Sequence, residues 1–105
     1  MDEIIRVDSY DFDERAGFGI VIVLFYEYQD PSGRMMMSVM EELAEEYEDQ
    51  ITVLAVDMEQ SPDLAMRYEA EISPTVIIFR NGEEQDRTEG MNSPTVYADI
   101  ISELI

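Results

Sequence analysis

The side chains in this sequence with chemistry to offer are hydroxyls and carboxylates. Ser32 lies in the string Gln29-Asp30-Pro31-Ser32-Gly33-Arg34, a turn-forming segment ahead of an amphipathic run. As a nucleophile it would need an activating base, but the chain has no histidine and all six of its basic residues are arginine. The usual proton acceptors for a serine are therefore missing. There is no cysteine either, which excludes disulfide exchange, thiolate catalysis, cysteine-held zinc and iron–sulfur clusters. Without lysine there is no Schiff base and no P-loop. No catalytic residue, metal or cofactor is assigned, and the chain is not expected to be an enzyme. What residues 30–33 can offer is a binding loop, because a helix starting there presents free N–H groups; the simpler reading is a turn with a capping side chain.

Twenty-five acidic residues against six basic ones give a formal charge of -19 and a pI of about 4.1. Such a surface repels phosphate backbones and anionic lipids, so neither nucleic acid nor membrane is an expected partner. Glu41, Glu42, Glu45, Glu46, Glu48 and Asp49 stack like charges on one segment. They could attract a basic partner or loosely hold a divalent cation, or simply form a solvated face. Asp8, Asp11 and Asp13 lack the spacing of a calcium loop, and no Asp-x-Asp-x-Asp-Gly string occurs. A lysine-free acidic composition also suits a protein kept soluble in high salt, where self-repulsion is screened. Met1-Asp2-Glu3 opens without a basic and then apolar leader, and the apolar run Ile20–Tyr26 is far short of the ~20 residues of a membrane span, so a cytoplasmic location is expected.

The length of 105 residues fits one domain, residues 1–105. Ile4-Ile5-Arg6-Val7 is a short candidate strand, and Ser9 is placed to cap a brief helix through Arg15 that ends at Gly17. Ile20–Tyr26 reads as a central strand buried on both faces. Over residues 34–49, Met36, Val39, Met40, Leu43, Ala44 and Tyr47 recur at helical spacing, with Asp30 or Ser32 as the cap. Met36 and Met40 belong to the buried face, and one of Met35 or Met37 must be partly exposed, since three consecutive methionines cannot share a face. Residues 51–56 form a second buried strand, and Ser61-Pro62-Asp63 opens a short helix ending near Tyr68. Thr75-Val76-Ile77-Ile78-Phe79-Arg80 is a third strong strand. Asn81-Gly82 turns it into a polar edge strand over residues 83–88, and Ser93-Pro94 starts the last helix. The order β-α-β-α-β-α-β-β-α predicts an α/β fold, a central mixed sheet with helices on both faces.

That order, with Asp57-Met58-Glu59-Gln60-Ser61-Pro62, Ile72-Ser73-Pro74-Thr75, Phe79-Arg80-Asn81-Gly82-Glu83 and Gly90 in sequence, resembles thioredoxin from about Ile20 to Leu104. The resemblance implies the thioredoxin fold. Laid against the family's Trp-Cys-Gly-Pro-Cys-Lys, residues 29–34 put Asp30 and Gly33 where the two cysteines stand, and the family's buried aspartate and nearby lysine fall at Leu24 and Ala55. The whole redox apparatus is absent together, so this is similar to a redox-inactive member of the superfamily.

The resemblance further implies that Ser73-Pro74 is a cis-proline site whose backbone can pair with an extended peptide, and that Gly90-Met91 forms a third side of the same groove. The expected binding groove is then Gln29, Asp30, Pro31, Ser32, Gly33, Arg34, Ser73, Pro74, Gly90 and Met91, with Arg34 orienting an acidic group and a protein or extended peptide as partner. Two alternatives are an acidic interaction protein that binds a basic partner or divalent cation through the Glu-rich helix, and an accessory factor in thiol–disulfide metabolism without catalytic thiols of its own.

Overall fold

In the computed structural model, which describes residues 4–105, the apolar run Ile20–Tyr26 is the middle strand, β2, of a five-stranded sheet. The full order is β1 (Ile4–Arg6), α1 (Phe12–Ala16), β2, α2 (Pro31–Glu46), β3 (Ile51–Asp57), α3 (Pro62–Arg67), β4 (Thr75–Arg80), β5 (Glu83–Glu89) and α4 (Pro94–Leu104). In space the strands run β1-β3-β2-β4-β5. β3 is parallel to both β1 and β2, whereas β4 is antiparallel to β2 and β5. The connections set the pairing: α1 and α2 lie between the parallel strands, α3 brings the chain back as β4 antiparallel to β2, and the two-residue turn at Asn81-Gly82 reverses it again into β5. Both turn residues carry positive φ, 51° and 85°, as a type I′ turn requires.

Side chains alternate across the sheet, as period 2 demands. Ile22, Leu24 and Tyr26 of β2 pack on one face with Met36, Met40 and Leu43 of α2 and with Tyr97 and Ile101 of α4. Val21, Val23 and Phe25 point the other way, toward Phe12 of α1 and Leu64 of α3. Helices therefore cover both faces. Met36 and Met40 are fully buried while Met35 is 60% exposed, so the run of three methionines splits as one helix must split it. Among the described residues no helix is long and apolar enough to cross a membrane. The Met1-Asp2-Glu3 terminus lies outside the described residues.

Several expected boundaries move, each for a local reason. Ser9 does not cap α1; its hydroxyl donates to Asp63 at 2.7 Å, and the turn is organised by Asp8, whose carbonyl accepts from Phe12 N–H and whose carboxylate accepts from Tyr10 N–H. Val7 falls outside β1, though its N–H still reaches the Ala55 carbonyl at 3.0 Å. α2 begins at Pro31: of the two expected caps Asp30 is the one used, and Pro31 supplies the first helical residue ahead of the apolar spacing that starts at residue 34. It ends at Glu46, not Asp49, where the chain turns into a left-handed Asp49 (φ 72°) before β3. Neither Ser61 nor Ser93 makes a side-chain cap bond, although Pro follows each as expected.

Candidate functional site

Three loops meet at the carboxyl end of β2: residues 27–33, residues 71–74, and the turn at Gly90. They are joined by specific bonds. Ser73 Oγ accepts from the Glu27 N–H at 2.9 Å across 46 residues of chain. The Gly90 N–H donates to the Pro74 carbonyl at 2.8 Å, at a position where Gly90 has φ 81°, which favours glycine. Ser73-Pro74 is a cis peptide, as the resemblance implied.

Asp30 is the centre of the loop before α2. Its carboxylate accepts from Ser32 N–H at 3.1 Å and from Ser32 Oγ at 2.9 Å, so aspartate, not serine, caps the helix. Hydrogen bonding from the Ser73 hydroxyl, and then from Ser32, holds the Asp30 carboxyl below its usual value of 3.8. These donors favour the ionised form, so their stabilisation is complete above the unfolded value and disappears as pH falls through the lower folded one. We expect Asp30→Asn to lower the thermal midpoint at neutral pH and the deficit to shrink as pH falls from about 5 to about 3. A deficit unchanged over that range would separate Asp30 from the network.

Gly33 follows in the first turn of α2 and is buried. A Cβ there would lie 2.9 Å from Ser73 Oγ, 3.2 Å from the Glu27 carbonyl oxygen and 3.2 Å from Tyr26 Cβ. The hydroxyl of Ser73 thus fills the space that any side chain at residue 33 would enter. Around this knot the surface is apolar in patches: Tyr28 is 61% exposed, Ile72 48% and Met91 46%. Arg34 is exposed but turned back on its own loop, donating to the Tyr28 carbonyl with its guanidinium 5.6 Å from the Tyr28 ring centroid. Gln29 and Pro31 are exposed, and Pro74 is buried. The Ser73 N–H and carbonyl have no hydrogen-bond partner among the described residues.

The sequence profile of thioredoxin matches residues 3–103. The chain belongs to the thioredoxin family. Thioredoxins from Staphylococcus aureus strains Mu50, MW2 and N315 are each 31% identical to it over 98 residues, covering 93% of this chain and 94% of theirs. The resemblance drawn from the sequence puts Asp30 and Gly33 at the family's two cysteine positions, and the chain carries no cysteine at all. It is a thioredoxin-like domain without the family's dithiol.

The loops expected to converge do so, joined through Ser73 to Glu27 and through Pro74 to Gly90. Sequence reasoning missed the parts played by Glu27, Tyr28 and Ile72. Glu27 contributes only its backbone N–H, which no side-chain pattern signals. Tyr28 and Ile72 flank the motifs and were legible as apolar residues beside turn-forming strings.

Proposed function

We propose that this thioredoxin-family chain is redox-inactive and works by binding an extended segment of a protein partner in the shallow groove between residues 27–34, 71–74 and 89–91. One observation carries the reading: the N–H and carbonyl of Ser73 are unpaired among the described residues, and each of the three loops that meet here carries an exposed apolar residue, Tyr28, Ile72 or Met91. Free backbone groups offer a strand-like segment its hydrogen bonds, and flanking apolar side chains take up its alternate residues. The bond from Glu27 N–H to Ser73 Oγ holds two walls of the groove together, so little ordering cost falls on binding.

The test is a pull-down comparing the wild-type chain with a Ser73→Arg, Met91→Glu double variant whose fold is checked by circular dichroism. A partner lost only with the variant supports the groove. A partner retained by both moves function to another surface, the acidic face of α2 first. In the same preparation an insulin-reduction assay is expected to show no turnover above the uncatalysed rate, because no thiolate is present to attack a disulfide. Measurable turnover would overturn the assignment of redox inactivity.

A further inference from the structure

The charge around this groove is one-sided. Within residues 27–34, 71–74 and 89–92 the acids are Glu27, Asp30, Glu71 and Glu89, and Arg34 is the one cation. The positions of these acids follow from the fold. Glu27 gives its N–H to Ser73 Oγ, Glu71 precedes Ile72 and Ser73, and Glu89 pairs with Thr75 at the end of β5 beside Gly90. Glu27, Glu71 and Glu89 are exposed. Asp30 accepts from Ser32 and its carboxyl is held below the usual carboxylate value, so it adds negative potential without needing a partner. Arg34 is occupied by Tyr28, through both the carbonyl and the ring, and does not reach out as a hook for an acid.

From this we infer that the segment taken by the groove is basic: an extended stretch with apolar residues for Tyr28, Ile72 and Met91, flanked by arginine or lysine facing Glu27, Glu71 and Glu89. The inference rests on the groove reading and names the partner chemistry for it. An acidic segment would set like charges against three exposed carboxylates, whereas a basic one gains attraction and faster encounter. Apolar contact and backbone pairing give the groove its shape preference, and the exposed acids on its three loops give it a preference of sign.

The chain as a whole carries -19, so the experiment must separate local from global attraction. A random dodecapeptide phage library is selected on immobilised wild-type protein. Recovered peptides are then measured by fluorescence anisotropy against four proteins: wild type, the Ser73→Arg, Met91→Glu variant of unchanged net charge, a Glu27→Gln, Glu71→Gln, Glu89→Gln rim variant, and a Glu41→Gln, Glu42→Gln, Glu45→Gln control on α2. We expect peptides combining apolar and basic residues that bind roughly tenfold more weakly to the rim variant and within about twofold of wild type to the α2 control. Affinity should also fall as salt rises from low to physiological strength.

Groove-dependent peptides that are neutral or acidic would overturn the inference about charge and leave the groove standing. Equal losses in the rim and α2 variants would overturn it too, by showing that only net charge matters. No peptide sensitive to the Ser73→Arg, Met91→Glu variant would sink the groove reading itself, and the inference with it.

Discussion

Replacing Glu45 and Glu46 together by lysine is expected to raise the thermal midpoint by about 10 °C at low ionic strength. The reason lies in α2. Glu41 and Glu42 stand one turn before Glu45 and Glu46, so two like-charge pairs are repulsive at i,i+4. The last turn of the helix holds no basic residue, and the carboxylates there face the negative end of the helix dipole. Each substitution reverses both terms at once. The new pairs also run acid first and base second, the better order along a helix. All four positions are exposed, so no packing changes with the charge.

Salt supplies the control. At about 2 M sodium chloride the screening length falls to a few ångströms, and the advantage of the variant should shrink to a few degrees while the wild type gains. An advantage of the same size at both salt concentrations would mean that helix propensity, not charge, produced it. Among the described residues only Arg15–Asp11, Arg67–Asp13 and Arg87–Glu84 form ion pairs, so most of the acids have no opposing charge to soften them.

Most of the architecture was legible because it rests on periods and punctuation. The β2 run, the helical spacing of Met36, Met40 and Leu43, and the Asn81-Gly82 turn are each decided within a few residues, and each appears where the pattern puts it. Capping was read less well. Ser9, Ser61 and Ser93 have the right residue type, but none makes the cap bond; Ser9 is drawn off to Asp63, which is 54 residues away. A local pattern cannot see that competitor. The site shows the same divide: the cis Ser73-Pro74 bond was implied by the resemblance to thioredoxin and Asp30 was one of two caps the local string allowed, while the bond from Glu27 N–H to Ser73 Oγ exists only once β2 and β4 lie side by side. Arg87 is a further case. It grips Glu84 with two nitrogens and reaches the Tyr68 carbonyl at 2.8 Å, tying β5 to the end of α3 through contacts no sequence spacing announces.

Gly33→Ala is expected to cost about 1–2 kcal/mol of unfolding free energy, and Ser73→Ala to remove most of that cost. In a helix an alanine normally stabilises relative to glycine by roughly 1 kcal/mol. Here the added methyl meets Ser73 Oγ at 2.9 Å, and that hydroxyl is held by the Glu27 N–H. It cannot move without breaking a bond. Remove the hydroxyl, and the remaining contacts, 3.2 Å to the Glu27 carbonyl and to Tyr26 Cβ, need only a few tenths of an ångström of relaxation. The double-mutant cycle from urea unfolding should therefore show a coupling of about 1 kcal/mol or more between residues 33 and 73. Independent effects at the two positions would show that the helix start shifts freely and that Ser73 does not fill the space. The same geometry bears on whether a dithiol could be introduced here. A cysteine at residue 33 is larger than alanine and meets the same hydroxyl, so an Asp30→Cys, Gly33→Cys chain should fold poorly and reduce insulin only weakly. Adding Ser73→Ala should recover stability first, because the site has closed around the absence of a side chain at residue 33.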